Sequence, residues 1–293
     1  MSTWRLFCFG LGYTGLTLSR AWRNEGWLVA GTCRSQEKAD RLRREGIAAF
    51  VFDGEEGMTN IAEALAGTTH LLSSAPPDEQ GDAVLRLHGR DLEQAAGTLQ
   101  WAGYLSTTGI YGDCAGEWID ETRAPAPLTA GNQRRLEAER AWLDFGERTG
   151  VPTQIFRLPG IYGPDGRNVL DSLRGGHARR IVKPGQVFNR IHVDDLVAVL
   201  LASMARPSAG TVYNVSDDEP APANEVMTFA ADLLGVTPPP EERFEDSELS
   251  PFARHFYAEC KRVRNHRIKE ELGIRLRYPT YREGLRAIAT GSP

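Results

Sequence analysis

Residues 9–15, FGLGYTG, constrain this chain more than any other stretch. They lie between an apolar run, WRLFCFG (4–10), that reads as a buried strand, and GLTLSRAWRNEG (15–26), that reads as a helix closed by glycine. Gly10 permits the tight turn, Gly12 lets the backbone approach a pyrophosphate, and Gly15 lets the helix pack on the strand. With Tyr13 and Thr14 among them, these residues make a dinucleotide cradle. Glycines punctuate many turns, so the spacing alone is weak; the strand–turn–helix context carries the reading. The alternative is a tight turn in an α/β protein that holds no nucleotide.

The same rhythm continues. Strands are expected at 27–33, 47–53, 69–75, 101–107 and 151–159, and helices at 35–45, 59–66, 82–97 and 133–147. Ser35 is the expected N-cap of the second helix, and Gly46 its stop. Strands alternating with helices require right-handed crossovers and a parallel sheet covered on both faces. This is the α/β class with a doubly wound sheet, the Rossmann arrangement. After Pro159 the pattern changes. Turn residues cluster at 162–168 and 183–186, VDDLVAVLLASMA (193–205) is one more buried helix, and TVYNVS (211–216) a late strand. A helix over 223–234 and a basic helical stretch, CKRVRNHRIKEELG (260–273), follow. The expected domains are residues 1–160, with 187–216 returning to that domain, and a smaller C-terminal substrate lobe over most of 161–293.

A formal charge of −5 gives no general attraction to nucleic acid or to an anionic membrane. The longest apolar runs, such as LVAVLLASMA (196–205), are too short to span a bilayer. The start, MSTWRLFCFGLGYTG, has no basic leader region, so a cytoplasmic location is expected. Cys8, Cys33, Cys114 and Cys260 lack CxxC spacing and read as reduced thiols, not as a metal site. His177 and His192 have no further ligands spaced for a metal and are taken as solvated or structural.

The second strand ends GTCRS. A site for NAD commonly has Asp or Glu there to bind ribose hydroxyls. Arg34, flanked by Thr32 and Ser35, suits a 2′-phosphate, so NADP is expected in preference to NAD. The other reading is a solvated arginine, although its charge gains nothing from a helix start.

These segments, together with VFDG, LSTTGIYGD, RLPGIYGP, NRIHVDDLV and YNVSDDEP, resemble in order the extended short-chain dehydrogenases/reductases of the NAD-dependent epimerase/dehydratase type. The resemblance implies that Asp53 lies near the adenine. It implies that Ser73, Ser74 and Ala75 line the ribose and phosphates, and that Arg157 and the RIHVDD segment hold the lobe. Relatives dimerise through helices matching 82–97 and 133–147, which implies a homodimer surface here.

The family's catalytic set is a Ser/Thr, a Tyr and a Lys. Aligning IYG (110–112) on the family's VYG puts Thr107 at the hydroxyl position, also facing the cofactor, and aligning RLEAE puts Arg135 at the lysine position. Four residues before Arg135, where the tyrosine belongs, stands Gly131. A different acid is then required, and Tyr111, Tyr162, Asp113, Asp120 and Glu121 are the candidates, Tyr111 foremost. Gly160 replaces the family's Asn, and Phe188 the family's Arg, with Arg190 displaced by two positions. Both departures argue against a sugar-nucleotide substrate.

The resemblance is thus to atypical members of the family. It implies an NADP-dependent oxidoreductase or epimerase-like enzyme with a non-standard proton donor, acting on a small polar metabolite. The alternative from another class is a non-catalytic NADP(H)-binding redox sensor or regulator.

Overall fold

The computed structural model describes residues 4–291. Residues 1–3 and 292–293, which open the first expected domain and close the second, lie outside that range. The strands, in chain order, are β1 (Arg5–Phe9), β2 (Leu28–Cys33), β3 (Ala48–Val51), β4 (His70–Ser73), β5 (Trp101–Thr107), β6 (Trp118–Ile119), β7 (Thr153–Leu158), β8 (Gly160–Tyr162), β9 (Arg180–Val182), β10 (Arg190–His192), β11 (Val212–Asn214), β12 (Glu241–Arg243) and β13 (Arg262–Val263). The helices are α1 (Tyr13–Asn24), α2 (Gln36–Arg44), α3 (Ile61–Leu65), α4 (Ala83–Ala95), α5 (Ala130–Thr149), α6 (Val169–Arg174), α7 (Val193–Ala205), α8 (Ala223–Leu234), α9 (Pro251–Tyr257), α10 (His266–Glu270) and α11 (Tyr281–Thr290).

Two compact units interleave along the chain. The first takes the described residues up to Ile110, then Thr129–Arg157 and Val197–Tyr213; the second takes Tyr111–Leu128, Leu158–Leu196 and the described residues from Asn214 on. The loop after β5 and residues 187–196 therefore belong to the second unit, where a boundary near 160 with a return over 187–216 was expected.

The first unit carries a seven-stranded sheet ordered β11-β7-β5-β4-β1-β2-β3. Pairs β1/β2, β2/β3, β1/β4 and β4/β5 are parallel. The α/β doubly wound class is therefore the observed one. Strand β1 is apolar without alternation because both its faces are covered: Leu6, Phe7, Cys8 and Phe9 are all fully buried. Around them Ala30, Leu71, Tyr104, Trp142, Phe145 and Ile155 close one core cluster. The order reverses between β1 and β4, and in such sheets ligands bind beyond the carboxyl ends of the strands at that reversal. Register pairs Phe9 with Ser73, so the glycine loop and residues 74–75 leave the sheet side by side.

The second unit is built from short parallel pairs, β8/β10, β9/β12 and β6/β13, and a core of Tyr162, Leu170, Val226, Ala230, Tyr281 and Leu285. The stretch 260–273 was expected to be helical. It starts as β13, whose Arg262 N donates to Glu117 O at 2.8 Å, and turns helical only at α10. Pairing with β6 overrides the local helical pattern there.

Candidate functional site

Three neighbours pin the glycine loop by its backbone. Gly10 N donates to Thr32 Oγ1 at 3.0 Å, and Leu11 N to Thr32 O at 2.7 Å. Ser74 Oγ donates to Gly10 O at 2.6 Å, and the Cys8 thiol lies 3.6 Å from the same oxygen. Burial pushes that thiol up to about 12, so it stays protonated and serves as a donor. Gly10 has φ +96°, and a Cβ there would lie 2.8 Å from Ser74 Oγ. A Cβ on Gly15 would lie 2.6 Å from Gly10 O. Gly12 is different: nothing lies within 4 Å of where its Cβ would be. Two glycines are thus required by packing and turn, and the middle one faces open space.

Helix α1 begins at that open space. Its N-cap is Gly12, no side chain caps it, and no acidic residue occupies its first turn. First-turn N–H groups lack intrahelical acceptors, so such an end favours an anion. Tyr13 is half-buried and Thr14 buried beside it.

At the end of β2 the three expected contacts separate. Thr32 is 1% exposed, and its hydroxyl braces Gly10. Ser35 caps α2, accepting from Lys38 N at 3.3 Å. Arg34 and Ser35 are both exposed, and Ser35 keeps its O–H to donate. Asp53, also exposed, accepts from Glu55 N at 3.0 Å. Ser74 braces the loop as described, Ala75 is half-buried, and Ser73 is fully buried with its Oγ lacking a hydrogen-bond partner among the described residues.

Thr107, half-buried at the end of β5, accepts from Gly109 N at 3.0 Å, which leaves its O–H to donate. Arg135 lies on α5 and is tied inward: its Nη1 donates to Leu105 O at 2.9 Å and to Tyr104 Oη at 3.2 Å. Gly131, one turn earlier, is exposed, and the nearest atom to a Cβ there would be Thr129 Oγ1 at 3.9 Å. Asn132 turns away, donating through Nδ2 to Gly109 O at 3.0 Å.

Sequence reasoning did not assign a role to Glu139, which organises this face of the sheet. It is 2% exposed and accepts from Ser106 Oγ at 2.5 Å and from Arg157 Nη2 at 2.9 Å. The available signal was a glutamate among buried positions of an amphipathic helix, four residues after Arg135. Arg157, expected to hold the lobe, makes this pair within the first unit. Asp82 caps α4 and accepts from Trp142 Nε1 at 3.1 Å; burial raises its carboxyl above the usual range.

The candidate acids of the second unit are already committed there. Tyr111 is 1% exposed and donates to Asn214 Oδ1 at 2.9 Å, which favours a packing role over proton transfer. Tyr162 donates to Thr280 O at 3.4 Å, and burial raises its phenol. Asp113 accepts from Cys260 N at 2.7 Å, and Asp120 from Thr122, whose hydrogen bonds lower its carboxyl. Glu121 accepts from Asn214 N at 2.7 Å, and burial raises it. His192 is buried and lowered to about 4, so its ring is neutral at pH 7; His177 is exposed. Arg190 points its Nη1 at Phe188 O (2.8 Å) and Ala221 O (3.1 Å). Among the described residues no group of three or more His, Cys, Asp or Glu is placed to hold a metal, and no helix is long and apolar enough to cross a membrane. A cavity of about 770 Å³ lies not at the glycine loop but between α4 and α5, among Arg86, Arg90, Asp91, Asp144 and Arg148.

A profile of the NAD-dependent epimerase/dehydratase family matches residues 10–216. The chain belongs to that family. It is 27% identical to protein YeeZ of Escherichia coli K12, over 92% of this chain and 94% of that one. It is 30% identical to a 3-diazoavenalumate denitrifying reductase of a Streptomyces species, over 94% and 96%. Among solved structures, a functionally unknown conserved protein from Silicibacter pomeroyi superposes with a TM-score of 0.89 at 47% identity, covering 99% of both chains. The family model and these relatives make the chain an epimerase/dehydratase-family, oxidoreductase-like enzyme.

Proposed function

We propose that the chain is an NADP-dependent oxidoreductase of this family that acts on a small polar metabolite without the tyrosine acid. The observation that carries the cofactor reading is the open space at Gly12, flanked by glycines that packing requires, at the uncapped start of α1. The residues fit the group. The pyrophosphate would rest on the N–H groups of Tyr13, Thr14 and Gly15. Arg34 would hold the 2′-phosphate, Asp53 would face the adenine, and Ser73, Ser74 and Ala75 would line the ribose and phosphates. The buried, unpartnered Ser73 hydroxyl supports that placement. When bound, the nicotinamide supplies or accepts a hydride.

Thr107 orients the reacting group of the substrate through its O–H. Arg135, held by Leu105 O and Tyr104, supplies a fixed cation near the ribose rather than a mobile one. The relative named as a reductase supports reduction as the direction of chemistry. The missing acid at Gly131 also favours a second reading, an NADP(H)-binding redox sensor.

The test is a side-by-side titration of NADPH and NADH by nicotinamide fluorescence, repeated with Arg34→Glu. Tighter NADPH binding, lost selectively in the variant, is the expected result. Equal losses for both cofactors would remove the 2′-phosphate role, and no binding of either would remove the cofactor reading. NADPH that binds but is never oxidised by any carbonyl or nitrogen electrophile would select the sensor.

A further inference from the structure

We propose that His88 is a positioning residue for the adenine half of the cofactor: it latches the loop after β3 to helix α4 through one ring nitrogen. The inference rests on the nicotinamide-cofactor reading above and deepens it. The loop, residues 52–58, leaves the sheet beside the end of β2, where Phe52 N donates to Cys33 O at 2.9 Å, one residue from Arg34. A nucleotide whose 2′-phosphate meets Arg34 therefore presents its adenine to this loop. Helix α4 holds the loop at two points. Gly54, at φ +94°, passes so close that a Cβ there would lie 3.2 Å from Ala83 Cβ, and Gly54 O accepts from Arg86 Nη2 at 3.1 Å. Further along, Met58 N donates to His88 Nε2 at 3.1 Å. The imidazole is 2% exposed and lies against Phe52 and Phe9, with ring centroids 5.2 and 6.2 Å away.

That bond fixes the tautomer. Nε2 accepts, so the ring's single proton sits on Nδ1, which donates to Asp91 Oδ2 at 3.0 Å. A second proton has to go on Nε2. The Asp91 bond survives that change, but two N–H donors would then face each other at Met58, and a buried amide would lose its acceptor. The charged groups on the surrounding elements are Asp91, Arg86 and Arg90 on α4, the exposed Asp53, Glu55 and Glu56 of the loop, and the exposed Glu63 of α3; β1 presents the uncharged Phe9. A loop freed from its latch must be ordered again when the nucleotide binds, and affinity falls by the free energy of that ordering. Cofactor binding thus favours the singly protonated ring, and affinity falls as pH falls through the titration of His88.

The experiment measures NADPH affinity by fluorescence titration at about pH 8 and about pH 5.5 for the parent protein, His88→Gln and His88→Leu. Adenosine 2′,5′-bisphosphate, the adenine half alone, is titrated at the higher pH by competition. Glutamine offers an amide oxygen in place of Nε2 and does not titrate; leucine offers no acceptor. Protonation of the 2′-phosphate weakens all three proteins alike, so the readout is the affinity of the parent relative to His88→Gln. That ratio should fall about three- to tenfold between the two pH values. At the higher pH His88→Leu should bind both ligands about three- to tenfold more weakly than the parent, and His88→Gln within about twofold of it. A ratio that does not change with pH overturns the proposal, whether or not His88→Leu folds. So does a folded His88→Leu protein that binds the bisphosphate as tightly as the parent. Parent protein that binds neither NADPH nor NADH at the higher pH overturns the cofactor reading itself, and that titration, made first, tells the two failures apart.

Discussion

Placing valine at Gly12 and, separately, at Gly15 separates what the glycine loop does for the fold from what it does for a ligand. Gly12 has φ −81° and ψ −159°, extended backbone that valine adopts readily, and its Cβ would meet nothing within 4 Å. Stability should therefore change by about 0.5 kcal/mol or less, an unfolding-temperature shift within about 2 °C for a chain of this size. The branched side chain would occupy the space assigned to the pyrophosphate, and NADPH affinity should fall by about 100-fold or more, some 2.7 kcal/mol. Gly15 reverses the pattern. A Cβ there would lie 2.6 Å from Gly10 O and 3.0 Å from Cys8 Sγ, so α1 or the loop must shift. Overpacking of this kind costs about 1–3 kcal/mol, of which roughly 0.3–0.5 is returned by valine's better helix propensity. The expected fall in unfolding temperature is about 1–10 °C. Thermal unfolding and an NADPH fluorescence titration read both variants. A folded Gly12→Val protein that binds NADPH normally would refute the placement of the pyrophosphate. Wild-type stability in Gly15→Val would refute the packing argument.

Glu139→Ala should lower stability by about 3–5 kcal/mol in urea unfolding, because the nearly buried Arg157 guanidinium loses its carboxylate; Glu139→Leu with Arg157→Met should recover part of that loss. Burial raises the Asp82 carboxyl above its ordinary 3.8, so the folded state binds more protons than the unfolded state between those two values. Stability then falls as pH rises through that window, and unfolding of Asp82→Asn compared with the parent at pH 4.5 and 7 should show the variant losing less. Gly131→Tyr combined with Arg135→Lys should gain measurable reduction of tetralone, read as NADPH consumption over the parent protein.

Much of this protein is legible in its sequence. The run RLFCF followed by GLGYTG states a strand, a turn and a helix in consecutive residues, and each of those depends on local sterics and on burial that a linear pattern records. The vacancy at the tyrosine position is equally a property of sequence, since Gly131 has no side chain in any fold. The tertiary structure decided which residues near the site are spoken for. Thr32, Ser35 and Arg34 stand almost together in the chain, yet one braces Gly10, one caps α2 and one faces solvent, because strand and helix geometry turn neighbouring side chains in different directions. Tyr111 read as an available acid until Asn214, about a hundred positions away, was found to take its hydroxyl. Glu139 read as one more helical glutamate, and only the packing of α5 on β5 and β7 makes it the acceptor for Ser106 and Arg157. A buried polar group must find its partner across the fold, and a one-dimensional pattern contains no distances between such partners.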